Sequence, residues 1–159
     1  MIRPLRGDEQ ETIFRIINAA AQAYKGVIPA DCWHEPYMSQ GELEAELRAG
    51  VRFWGWEEGG QVAGVMGRQD LGEVILIRHA YVHPAWQRRG LGERLLAHLL
   101  TGVSVPVLVG TWAAAHWAIR FYEKYGFTLV SHQEKERLLR TYWSISERQV
   151  ETSVVLAKY

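Results

Sequence analysis

The chain is predicted to be a single α/β domain, and three observations carry that reading. Some segments place apolar residues at helical spacing, while others are short β-branched and aliphatic runs. The second half alternates the two kinds as strand–helix–strand–helix–strand, behind an earlier antiparallel portion. No repeat, low-complexity tract or linker divides residues 1–159, a length able to bury about two-thirds of the unfolded surface.

Met1 to Arg6 alternates weakly and reads as a short first strand. Asp8 with Glu11 forms a capping-box pattern, and Ile13, Ile16, Ile17, Ala20 and Tyr24 follow at helical spacing, predicting a helix over 9–24. The stretch from Ile28 to Tyr37 is loop-like. Ser39 with Glu42 opens a second helix that stops at Gly50. Val51–Glu57 and Gln61–Arg68 read as a hairpin across Glu58-Gly59-Gly60. Val74–Val82 is aliphatic and free of Gly and Pro, as suits a buried central strand that Pro84 ends.

A helix is expected over 90–101, from Leu91, Leu95, Leu96, Leu99 and Leu100, followed by a strand over 103–110. Residues 113–125 are again helical and stop at Gly126, and 127–130 restarts as a strand. Ser131 with Glu134 opens an amphipathic helix over 131–143. The alternation over 150–156 predicts the last strand.

Composition narrows the function classes. Hydrophobic residues make up 48% and charged residues 23%, values of a soluble globular protein. The formal net charge is zero, from 18 basic and 18 acidic residues, which disfavours a general nucleic-acid or anionic-membrane binder. Cys32 is the single cysteine, so no intramolecular disulfide is expected and a reducing cytoplasm is the default. No signal-like or membrane-spanning run is read.

Between the central strand and its helix lies Gln87-Arg88-Arg89-Gly90-Leu91-Gly92. Glycine lets backbone turn tightly and approach a ligand. A helix N-terminus offers unpaired amides and partial positive charge, and Arg88 and Arg89 add full charges. Together these predict an anion site, best suited to a pyrophosphate. A P-loop would need Gly-Lys-Ser/Thr, whereas Gly92 is followed by Glu93-Arg94. A dinucleotide fingerprint would need a small residue where Leu95 stands.

Two motifs resemble those of the GNAT superfamily of acyl-CoA N-acyltransferases. One is Val82-His83-Pro84 followed by Gln87-Arg88-Arg89-Gly90-Leu91-Gly92. The other is Ala118-Ile119-Arg120-Phe121-Tyr122-Glu123-Lys124-Tyr125-Gly126-Phe127. The resemblance implies a mixed sheet of about seven strands with splayed central strands, flanked by four to five helices. It implies acetyl-CoA as co-substrate in the splay. Pyrophosphate would be held by Gln87, Arg88, Arg89, Gly90, Leu91, Gly92 and Glu93, and the pantetheine arm by backbone near Val82. The activity implied is acetyl transfer to a primary amine of a small molecule or protein.

Such a transfer needs the amine deprotonated, an oxyanion stabilised and the thiolate protonated. By resemblance Tyr122 is the acid, since a phenol is protonated at neutral pH; a packing tyrosine is the alternative. The oxyanion would be held by backbone N–H near Val82. The glutamate that some members carry on the central strand corresponds here to Leu76. His79 is the nearest titratable alternative base, although strand alternation sets it on the face opposite Leu76. Glu73, His83, His116 and a water relay stay open. The asparagine that many relatives carry before the second motif is Ala115 here. His34-Glu35 has no partner at metal-ligand spacing, so no metal is expected. Trp33, Tyr37, Trp54 and Trp112 are candidates for lining the acceptor site, and helix 131–143 for shaping it or a homodimer face. A domain that binds coenzyme A without turnover is the competing reading.

Overall fold

The computed structural model describes residues 1–159. Its centre is one seven-stranded mixed sheet, ordered β1-β2-β3-β4-β5-β7-β6. The strands are β1 (Ile2–Pro4), β2 (Arg52–Glu58), β3 (Gln61–Asp70), β4 (Ile75–Val82), β5 (Val107–Trp112), β6 (Thr128–Leu129) and β7 (Ser153–Lys158). The helices are α1 (Gln10–Ala20), α2 (Gln40–Arg48), α3 (Leu91–Leu100), α4 (His116–Lys124), α5 (His132–Tyr142) and α6 (Glu147–Thr152). None is long and apolar enough to cross a membrane.

β4 divides the core between two faces. Ile75 and Ile77 pack with Leu95, Leu96 and Leu99 of α3 and with Tyr122 of α4. Leu76 packs on the other face with Leu138 and Leu139 of α5. Ile13, Ile16 and Ile17 of α1 and Leu43 of α2 bury against Phe53 and Val65 on that same face. The periodicities of α1 and α3 thus mark the sides they bury.

Three predicted boundaries move. The expected box at Asp8 and Glu11 is absent; instead Arg6 N donates to Glu9 Oε2 at 2.6 Å, and residues 21–24 tighten into a 3-10 turn. β5 starts at Val107 and not at Val103, because Val103 and Val105 pack on the core as loop, and Pro106 has no amide to donate to a ladder. Residues 150–152 belong to α6 and not to the last strand. Ser146 Oγ caps that helix from Gln149 N at 3.2 Å, and Val150 is buried beside Leu138 and Leu139. Ser39 and Ser131 cap their helices by accepting from Glu42 N and Glu134 N at 3.1 and 3.2 Å, without the return bond from the glutamate that would complete each box.

Only β4 and β5 run parallel, and they pair from Ile75–Val107 to Ile77–Val109 and no further. Beyond Ile77 the strands part. β5 continues in register with β7 to Trp112, whereas β4 stays with β3 to Val82. The β3–β4 ladder breaks there: Val65 pairs with Tyr81 and Gly67 with Arg78, so Met66 faces both His79 and Ala80. This is a β-bulge, and His79 holds it with a left-handed φ of 54°. The extra residue cancels the alternation, so His79 falls on the same face as Leu76 and Arg78. The strand-alternation expectation is overturned here.

The bulge is fastened to α2. Arg78 Nη2 donates to Glu46 Oε1 at 2.5 Å and Nη1 to Gln69 Oε1 at 3.1 Å. His79 Nε2 contacts Glu46 Oε2 and stacks on Phe53 at 6.2 Å. Burial opposes ionisation of Glu46, but His79 and Arg78 outweigh it and hold the carboxyl below its ordinary value.

Two outcomes test this anchorage. A Cβ on Gly67 would lie 2.8 Å from the Arg78 carbonyl, so Gly67→Ala must displace the bulge backbone. A loss of about 1–3 kcal/mol in urea unfolding is expected, and wild-type stability would refute the close approach. A depressed folded-state pKa stabilises above the unfolded value and is lost as pH falls through the folded one. The stability gap between wild type and Glu46→Gln should therefore narrow as pH drops below 4.5, the ordinary value. A gap independent of pH would contradict the pairing.

Candidate active site

Where β4 ends, short-range contacts shape the turn. Ala85 N donates to His83 Nδ1 at 3.1 Å, and Gln87 Nε2 reaches back to Val82 O at 3.2 Å. Arg88 and Gly90 then take left-handed φ values of 68° and 74°. The first bond into α3 is Arg94 N to Gly90 O at 3.2 Å. The amides before Arg94 are left for an external acceptor, at the positive end of the helix.

These residues border a cleft of about 570 Å³ between the turn, α3 and α4. Val82, Gln87, Arg88, Gly90, Leu91, Gly92 and Glu93 all line it. Arg89 does not. Its guanidinium lies 4.8 Å above the ring of Trp86, so packing on an aromatic face takes up the charge expected at the anion site.

Tyr122 forms part of the inner wall of the same cleft. Its ring is 5% exposed and meets Phe121 and Phe127 edge-on at 5.1 and 5.5 Å. Burial pushes the phenol well above its ordinary value, and the nearby Tyr24 phenol adds to the shift. The group is a protonated donor in an apolar wall. It also packs in the core, as the alternative reading of a packing tyrosine expects.

A second cavity, about 710 Å³, opens on the opposite face of the sheet and is lined by Glu42, Glu46, Arg78, His79, Tyr37 and Trp112 among others. A smaller pocket of about 140 Å³ at the gap between β4 and β5, the passage, shares lining residues with each of them. Tyr24 and Tyr81 line both the passage and the cleft, while Tyr37, His79 and Trp112 line both the passage and the far cavity. Trp112 Nε1 donates to Tyr37 Oη at 2.7 Å. Tyr24 lies 5.3 Å from Tyr37 and 6.2 Å from Tyr81, ring to ring. Burial raises all three phenols, so they too are protonated donors.

The remaining sequence candidates fall elsewhere. Glu73 accepts from Tyr142 Oη at 2.6 Å, His83 is used as a cap, and His116 is exposed at the start of α4. Ala115 is fully buried with Tyr24 and Trp112. Of the four aromatics, Tyr37 and Trp112 line the passage, Trp33 packs 6.0 Å from Tyr37, and Trp54 belongs to the α3-side core. α5 reaches the far side through Leu139, which lines the passage, and Tyr142, which lines the cavity. Sequence reasoning missed Glu46, Tyr24 and Tyr81. Tyr24 continues the apolar stripe of α1 into the 3-10 turn after it, and no local signal pairs position 46 with position 79.

No curated protein sequence matches the chain. Solved structures match its fold along nearly its whole length. The PaiA N-acetyltransferase of Thermoplasma acidophilum, in complex with coenzyme A, superposes with a TM-score of 0.71 at 16% identity, covering 99% of this chain and 97% of that one. A GNAT-family acetyltransferase from Staphylococcus aureus gives 0.73 at 15%, covering 99% and 97%. An alanine N-acetyltransferase of a ribosomal protein from Escherichia coli gives 0.67 at 18%, covering 99% and 92%. The family model for the acetyltransferase (GNAT) domain matches residues 49–129, from the start of β2 through β6, with the glycine turn and Tyr122 inside it. The chain belongs to the GNAT acetyltransferase family.

Proposed function

We propose that the protein is an N-acetyltransferase that uses acetyl-CoA to acetylate a primary amine, on a small molecule or a protein, by direct attack. The observation that carries this reading is the pair of cavities that border the strand splay. A cleft with an amide-rich, positive end and a separate polar cavity both share lining residues with a small pocket at the strand splay. Two substrates that enter from opposite faces meet there without a covalent enzyme intermediate.

Acetyl-CoA supplies the thioester. Backbone amides from Arg88 to Glu93 hold its pyrophosphate, with Arg88 adding charge while Arg89 packs on Trp86. The pantetheine arm lies along β4 beyond Ile77, where β5 has left the strand, and backbone at Val82 faces the thioester oxygen. The acceptor enters from the far cavity, which His79 lines. His79 removes the amine proton, the lone pair attacks the carbonyl carbon, and the C–S bond breaks. Tyr122 donates its O–H proton to the departing sulfur, a role suited to a phenol kept protonated by burial.

The coarse reading is tested by incubating the protein with acetyl-CoA and a panel of amines while following free thiol. Saturable release with some acceptor is expected. Tight coenzyme A binding with no release across a wide panel would instead support a binding domain without turnover. Tyr122→Phe should lower kcat by about 10- to 1,000-fold with little change in the KM for acetyl-CoA; unchanged kcat removes Tyr122 from the acid role. Gly92→Glu puts bulk and negative charge at the helix start, so the Kd for coenzyme A should rise at least tenfold by calorimetry. Unchanged affinity would refute the pyrophosphate placement.

A further inference from the structure

The base proposed above sits in an environment that its own strand does not explain. His79 is the extra residue of the bulge, with a left-handed backbone that side chains rarely adopt. Its Nε2 is buried, and so is Glu46 Oε2; neither atom has a hydrogen-bond partner elsewhere, and the two are in contact. The other carboxylate oxygen, Oε1, is taken by Arg78 at 2.5 Å. Glu46 is therefore clamped by two consecutive β4 residues, one on each oxygen. With Nε2 turned toward the carboxylate, Nδ1 is the ring nitrogen left for the cavity and passage that His79 lines.

We propose that Glu46 is the positioning residue for His79: it fixes the imidazole as the Nε2–H tautomer and leaves Nδ1 to take the acceptor proton. This rests on the assignment of His79 as the base. A carboxylate behind one ring nitrogen sets which nitrogen is free and stabilises the imidazolium once the proton arrives. The proton moves from the acceptor nitrogen to Nδ1 and stays on the ring, and Glu46 is not itself protonated. Arg78 keeps the carboxylate ionised and in place, and Phe53 stacks the ring at 6.2 Å. The bulge thus turns His79 toward the acceptor side, and α2 supplies the group that orients it.

The other acidic groups lining the cavity are less suited to this role. Asp31 pairs with Arg148 at 2.8 Å, and Glu42 accepts from Ser39 Oγ at 3.2 Å. Glu46 alone contacts the ring.

The test uses the full chain with two independent readouts. Long-range proton–nitrogen NMR of the imidazoles is recorded on wild type, Glu46→Gln and Arg78→Met, with His79→Gln to identify the His79 signals. Wild type should show the Nε2–H tautomer for His79, and Glu46→Gln a tautomer mixture. Steady-state kinetics with an acceptor found in the thiol screen should show Glu46→Gln losing about tenfold or more in kcat, with an unchanged KM for acetyl-CoA. Glu46→Asp, which keeps the charge, should recover part of that loss and also serves if Glu46→Gln folds poorly. A wild-type tautomer and wild-type kcat in Glu46→Gln would overturn the positioning role while leaving His79 as base, provided His79→Gln is slow. Full kcat in His79→Gln would remove the base assignment and the role of Glu46 with it. A doubly protonated His79 ring at the assay pH would do the same.

Discussion

The arrangement of the cavities depends on β4 parting from β5 after Ile77. A parallel pair held to its full length would satisfy its own backbone groups and leave no opening through the sheet. The bulge at His79 prevents that by adding a residue that β3 cannot match, which bends and twists the strand locally. β5 meanwhile keeps its register with β7 as far as Trp112. The gap is thus a consequence of two ladders that each remain satisfied while the one between them stops. The Gly67 position is part of that arrangement, because a Cβ there would meet the Arg78 carbonyl.

The turn that follows is built mainly from backbone. Val82, Gln87 and His83 are tied by short-range hydrogen bonds, and Arg88 and Gly90 turn the chain so that α3 points its amino end into the cleft. Such a site recognises phosphate by amide direction and helix dipole, and it tolerates side-chain change. That explains how Arg89 can pack on Trp86 outside the cleft lining without leaving the site empty of donors.

The two faces of the passage differ in character. The α3–α4 side is apolar and carries Tyr122 in a wall of aromatic rings. The far side is polar, with Glu46, Arg78 and His79 clamped together and Tyr37 bonded to Trp112. Desolvation keeps Tyr81 and Tyr122 protonated, whereas contacts with Arg78 and His79 keep Glu46 ionised despite burial. Tyr122 lines the α3–α4 cleft and His79 the far cavity, with Tyr24, Tyr37 and Tyr81 lining the pocket between them.

The sequence by itself determined the α/β class, most elements, and the position of the glycine turn that opens α3. Those features are local: apolar period, Ser-initiated caps, and glycine beside a helix start are decided within a few residues of chain. It also put Tyr122 on the right helix, because that motif is contiguous. It misread the end of the chain, where alternation over 150–156 overlapped the short helix capped by Ser146. Only the tertiary structure decided which way His79 faces. Alternation assumes an unbroken ladder, and the bulge depends on how β4 pairs with β3, a partner more than ten residues away. The pairing of Glu46 with Arg78 and His79 likewise arises where α2 crosses the sheet, at a sequence separation of 32 residues for the Arg78 bond. No local pattern encodes such a contact, because burial and charge compensation bring its members together only after the sheet has formed.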